Sequence, residues 1–235
     1  MSKNRQLDSV EITATIEKLK NRIGDRFPSS SLKVVTNDLI SISEQTHKNI
    51  EYLKKPNLKI RLFSSIVILL GSICILYPLT HLTVNITPKD TIDFVSISHS
   101  AFELFIFLFA GLIYVTSIES KRKRKKALKF INELRNILHV IDMHQLTKDP
   151  YLISKNKNTV NSPNREYNKF ELERYLNYCS EIASLTSKIA ALYAQNIQDE
   201  IIIDAVNDIE MLASSHSRKI WQKIYIITSS EDCNQ

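Results

Sequence analysis

The chain has 235 residues, 43% of them hydrophobic and 24% charged, with a formal net charge of +6. Three glycines leave no material for a glycine-rich phosphate loop or a nucleophile elbow. The average composition suits an ordinary soluble domain, yet the apolar residues concentrate between Leu62 and Ile118 while the flanks are rich in Lys, Asn, Ser, Glu and Asp. Two materials have been joined in one chain.

Residues 1–60 are polar and periodic, unlike the basic and then apolar start of a secretory signal, so the first apolar run is expected to stay as an anchor. Two cytoplasmic helices are predicted here, Ser9 to Ile23 and Ser30 to Leu53. Gly24 is expected to stop the first, and the serines after Pro28 to cap the second. Val35, Leu39, Ile42, Ile50 and Leu53 give the second helix an apolar stripe that must pack somewhere.

Residues 61–118 read as a transmembrane hairpin. From Leu62 to Val84 the chain has no Asp, Glu, Lys or Arg, and at 1.5 Å per residue this run reaches ~34 Å, enough for a hydrocarbon core of ~30 Å. The second run, Phe94 to Ile118, carries one formally charged residue, Glu103. Residues 85–93 form the predicted outer loop between spans at 62–84 and 94–118. Eleven basic residues flank the cytoplasmic ends (Lys54, Lys55, Lys59 and Arg61 before, Lys121, Arg122, Lys123, Arg124, Lys125, Lys126 and Lys129 after), against Lys89 alone in the loop. Positive residues stay on the cytoplasmic side, which places both termini there. The basic run from Lys121 to Lys126 is expected to rest on anionic lipid headgroups.

Gly71 and Gly111 lie at matching depths, ~12–15 Å from the cytoplasmic ends. Small residues let helix backbones approach, so Gly71 with Ser72 is expected to meet Ala110 and Gly111, within the hairpin or between subunits. Glu103 is costly in hydrocarbon unless it faces protein, water or a partner. His99 lies one turn further out on the same face and His81 at a corresponding depth of the first span, so the three are candidates for one polar cluster. Repeated around a homo-oligomer, Glu103 would make an acidic ring that attracts cations. The competing reading is a glutamate held for packing or reaching the outer interface.

Residues 119–235 read as a helical cytoplasmic domain. No helix breaker follows the second span until Pro150, so that helix is expected to continue inward. Thr147 to Asn168, with two prolines and repeated asparagines, reads as a flexible segment. From Lys169 to Ile227 the pattern is helical again, with a bend expected between Asn196 and Ile203. Leu172, Tyr175, Cys179, Ile182, Ile189, Tyr193 and Ile197 trace one apolar face that wants partner helices.

His139, Asp142 and His144 form H-x-x-D-x-H, but His144 leaves the face shared by the other two, so a helix face is expected and no metal. Cys74, Cys179 and Cys233 have no redox or metal spacing and read as free thiols of a reducing compartment. With no relay among the serines and histidines, the reading is all-α, without a cofactor and not an enzyme.

A short hairpin with polar flanks and a helical cytosolic domain resembles the two-transmembrane effectors of bacterial anti-phage systems, among them SLATT-type proteins and the HalB channel effectors of Hailong systems. The resemblance is one of architecture and transfers no site residues. It implies a homo-oligomeric channel of the bacterial inner membrane, with a tetramer as one candidate. The gating signal it implies is a nucleotide or DNA oligomer made by a partner nucleotidyltransferase. Basic and aromatic residues suited to such a ligand are Arg165, Arg174, Tyr175, Lys188, Arg218 and Lys219. The alternative function is a membrane-anchored scaffold that recruits a cytoplasmic protein partner.

Overall fold

The computed structural model describes residues 6–55, 58–81, 91–148, 150 and 167–229, with side chains at a subset of positions in the third helix and the first part of the fourth. Every described element is an α-helix: α1 (Ser9–Arg26), α2 (Leu32–Lys54), α3 (Leu58–His81), α4 (Thr91–Leu146), α5 (Lys169–Asn196) and α6 (Glu200–Ser229). The chain divides into two units, one of residues 1–54 and 126–235, the other of residues 55–125. The boundary at Lys125 falls inside α4, which is continuous across it.

The first unit is a helical bundle whose core follows from the apolar periodicities. α1 begins where the Asp8 carboxylate accepts from the Val10 amide and buries Ile12, Ile16, Leu19 and Ile23, a spacing of three and four residues that keeps them on one face. It does not end at Gly24. No glycine among the described residues has a positive φ, so Gly24 supplies no left-handed cap, and the helix continues to Arg26. It ends instead at Phe27, whose amide donates to the Ile23 carbonyl at 2.7 Å; Pro28 disfavours helical backbone at the residue before it. Ser30 Oγ then accepts from the Leu32 amide as α2 starts.

α1 and α2 are antiparallel, with Thr13 Oγ1 beside Ser43 Oγ at 2.7 Å and Lys20 Nζ donating to Asn37 Oδ1 at 2.9 Å. α5 and α6 form the second hairpin, and α5 packs on both α1 and α2. The bend expected near Asn196 is a break. α5 stops at Asn196, and Asp199 starts α6 by accepting from the Ile202 amide through both its carbonyl and its side chain. α5 itself opens on a capping box between Asn168 and Glu171, which satisfies two orphan amides reciprocally.

The later part of α4 completes this core. Ala127, Ile131, Leu134, Leu138 and Ile141 have no exposed surface, and their four- and three-residue steps form one stripe along the helix. α4 ends at Leu146, and Lys148 and Tyr167, on either side of residues outside the described set, meet with the ammonium 4.4 Å from the ring centroid. Phe27 packs edge-on against Tyr167, Tyr175 and Tyr178.

In the second unit, α3 and the first part of α4 carry the apolar runs. Among the described residues, no helix is long and apolar enough to cross a membrane. The described side chains of α3 in this run extend from Leu62 to Ile73, ~18 Å of helix. The rest of the first predicted span and all of the predicted outer loop lie outside the described side chains.

Candidate functional site

Two places concentrate features that a packed bundle does not require. The first is the surface of the second unit. Ile66, Val67, Ile68, Leu69 and Leu70 are all apolar and between 40% and 62% exposed. Five consecutive positions at 100° each go right round a helix, so α3 has no polar side here. α4 repeats the pattern with Phe102, Phe105, Ile106, Phe107, Phe109, Ile113 and Tyr114, all exposed, and Phe105 stacks on Phe109 with centroids 6.2 Å apart.

Glu103 and His99 are exposed, one turn apart on α4. Among the described residues neither makes an ion pair with the other, and the side chain of His81 lies outside the description, so the three-residue cluster is not assembled by what is described. Gly71 and Gly111 are half-buried, Ser72 and Ala110 exposed. A Cβ built on Gly111 meets nothing within 4 Å, which leaves that side of α4 open to another helix.

Basic residues follow on α4. Lys121, Arg122 and Lys125 are exposed, and Lys123, Arg124 and Lys126 partly so. Lys123 pairs with Glu119 at 2.9 Å and donates to the Lys55 carbonyl at 2.9 Å, while Lys126 sits 3.9 Å from the centroid of Tyr52. These contacts tie Lys123 and Lys126 to the protein, and Lys121, Arg122 and Lys125 are exposed.

The second place is a polar cluster in the first unit, between the last turns of α4 and α6. His216 on α6 is 3% exposed, and its Nε2 lies 3.9 Å from Asp142 Oδ1 on α4. The same oxygen accepts from Gln145 Nε2 at 2.6 Å. Gln145 is buried, and its carbonyl accepts from Lys223 Nζ of α6 at 2.6 Å, a cation placed where helix-terminal carbonyls are unsatisfied. Two buried atoms in this cluster, Gln145 Oε1 and His216 Nδ1, have no hydrogen-bond partner. Burial lowers the His216 pKa, with Lys219 and His139 acting the same way and Asp142 opposing them.

Asp142 thus holds Gln145 and has His216 as a neighbour at 3.9 Å, a proximity that sequence spacing does not reveal. His139 is exposed, and His144 is half-buried beside Ser31 Oγ at 3.3 Å with its pKa lowered by burial and by Lys148. No group of three or more His, Cys, Asp or Glu side chains able to hold a metal occurs among the described residues.

Among the described residues, those suited to a nucleotide-like ligand each have surroundings of their own. Arg165 lies outside the described residues. Arg174 is exposed and its guanidinium covers Phe170 at 5.5 Å, with Arg26 on the same ring at 5.1 Å. Tyr175 is 2% exposed and stacked on Tyr167, so its ring serves the core and has no free face for a base. Lys188 donates to Ser184 Oγ at 2.7 Å and borders a groove of about 410 Å³ with Asp8, Glu11 and Glu181, an acidic surrounding that suits no phosphate. Arg218 and Lys219 are exposed on α6, whose surface also presents Met211, Trp221 and Tyr225.

No protein-family model, curated protein or solved structure matches this chain.

Proposed function

We propose that the chain is an oligomeric membrane channel, with α3 and the first part of α4 crossing the bacterial inner membrane and the helical bundle of the first unit controlling it from the cytoplasm. The observation that carries this reading is the ring of exposed apolar side chains from Ile66 to Leu70. A helix apolar on every side belongs in a protein core or in lipid, and these side chains are in no core. An exposed apolar surface of this extent in water is an association site or an aggregation hazard. In hydrocarbon it is ordinary.

Two helices per chain cannot enclose a pathway, so the channel needs several copies. The open side of α4 at Gly111 suits close approach by a second helix. Glu103, exposed on α4, then lines an acidic ring that selects cations. The resemblance to defence effectors supplies the class of signal, a nucleotide or oligonucleotide made by a partner enzyme. Arg174, Arg218 and Lys219 are the exposed cations on which it would act.

Conductance of the purified full chain in planar bilayers, wild type against Glu103→Gln, tests the reading. Cation-selective currents that lose selectivity in the variant support it; identical conductance and selectivity remove the acidic ring. The second reading, a membrane-anchored scaffold, is favoured by the exposed Met211, Trp221 and Tyr225 on α6. A monomer in detergent that passes no current would leave that reading in place of the channel.

A further inference from the structure

The exposed sides of α4 and α6 repeat as regularly as the buried ones. On α4, Lys129, Asn132, Asn136, His139, Met143 and Leu146 are all exposed and follow one another by alternating steps of three and four residues. On α6, Asp204, Asn207, Met211, Ser214, Arg218 and Trp221 are exposed and step in the same order. Such alternation keeps each row on one side of its helix and is the repeat along which two helices coil together. Solvent demands no large apolar groups here, yet Met143, Leu146, Met211 and Trp221 are each more than half exposed. Exposed apolar residues scattered singly need no explanation; these fall on two matching rows.

Within one chain the two helices run parallel, as three contacts in rising order show: Arg135 with Asp208, Asp142 beside His216, and Lys223 with the Gln145 carbonyl. To within a helical turn, these contacts set Lys129 at the height of Asp204 and Leu146 at that of Trp221. Copies held in one bilayer point the same way and, when related by a closed rotation, stand at one height. The α4 row of one copy then meets the α6 row of its neighbour in parallel, without a shift along their length. In that alignment every member of one row falls opposite a member of the other, Lys129 against Asp204, Asn132 against Asn207 and Leu146 against Trp221. Cation meets anion at one end, amides meet beside them, and apolar groups meet at the C-terminal end. Pairing α6 with its own copy at one height would instead oppose Asp204 to Asp204 and Arg218 to Arg218, and pairing α4 with its own copy would oppose Lys129 to Lys129. Like charges set face to face act against both.

We propose that the first unit assembles through these two rows, the α4 row of one copy packing in parallel on the α6 row of the next. The inference rests on the reading of the chain as a membrane oligomer and gives that oligomer a cytoplasmic interface. The amide layer of Asn132 and Asn207 fixes the register, as polar residues in such a seam do at some cost in stability. Leu146 against Trp221 supplies apolar surface to bury.

Two full-length chains with different tags are co-expressed, both with Cys74 and Cys233 replaced by serine and the buried Cys179 kept. One carries Asn132→Cys and the other Asn207→Cys. Mild oxidation of isolated membranes should give a covalent dimer bearing both tags, because residues facing each other across such a seam lie within disulfide reach. Asn132→Cys with Trp221→Cys, displaced by ~21 Å along α6, should give none. Lys129→Glu in both chains should lower the yield of the first pair about fivefold, and adding Asp204→Lys should restore it. A yield indifferent to Lys129→Glu, or not restored by the exchanged charge, overturns the interface. So does a cross-link between two Asn207→Cys chains, since α6 would then meet its own copy. The mass of the complex in detergent separates this interface from the oligomer itself. An oligomer without the mixed cross-link overturns the interface alone and leaves the rows to another protein, whereas a monomer overturns both.

Discussion

Tyr193 on α5 donates its hydroxyl to Thr46 Oγ1 on α2 at 3.3 Å, inside a core where both residues are fully buried. Thr46 in turn donates to the Ile42 carbonyl one turn earlier, so the pair ties the first helical hairpin to the second. Tyr193→Phe keeps the ring and removes the donor, leaving Thr46 with one donor bond and an unused acceptor; the expected loss is about 1 kcal/mol. Tyr193→Ala also empties the ring's volume, and about 3–5 kcal/mol is expected by analogy with other large aromatic truncations. Chemical denaturation followed by helix content separates the two.

Alkaline pH probes the same core. Burial raises Tyr193 from 10.0 to about 12 and Cys179 from 9.0 to about 12. Both are raised acids, so their contribution is complete below the unfolded values and is lost as pH climbs from 9.0 toward 12. Thermal stability should fall above pH 9, with Cys179→Ala delaying the onset to the tyrosine's range. An unchanged onset in that variant would place the loss elsewhere. The buried thiol should also resist alkylation in the folded protein.

The two units should answer differently to the same substitution. Leu134 has no exposed surface and lies in the stripe that α4 gives the bundle, so Leu134→Ala is expected to cost about 2–5 kcal/mol. Leu69 is 62% exposed on α3, and Leu69→Ala should leave the melting of the bundle within about 0.5 kcal/mol of wild type. Equal losses would mean that the two units do not melt independently.

Much of the bundle was legible because its signals are local. The long helix ending before Pro150 and the restart at Lys169 follow from proline and an asparagine cap, and the stripe from Leu172 to Tyr193 is buried as its spacing demands. Gly24 misled because a glycine inside a helix and one ending it look alike until φ is known. Tyr175 was ambiguous for another reason: an aromatic with a polar tip suits both a ligand platform and a core, and Phe27, distant in sequence, decides for the core. The Asp142–His216 contact joins residues far apart in the chain. No spacing rule reaches across that distance.

Where the exposed apolar helices reside decides whether the chain is a membrane protein. Alkaline carbonate extraction of cells expressing the full chain, with the membrane pellet and supernatant both assayed, addresses that directly. The chain should stay in the pellet, and Ile68→Asp with Leu69→Asp, which places two carboxylates in the apolar ring, should move it to the supernatant or to insoluble aggregate. A wild-type chain recovered in the supernatant as a monodisperse soluble protein would contradict the membrane assignment and, with it, the channel.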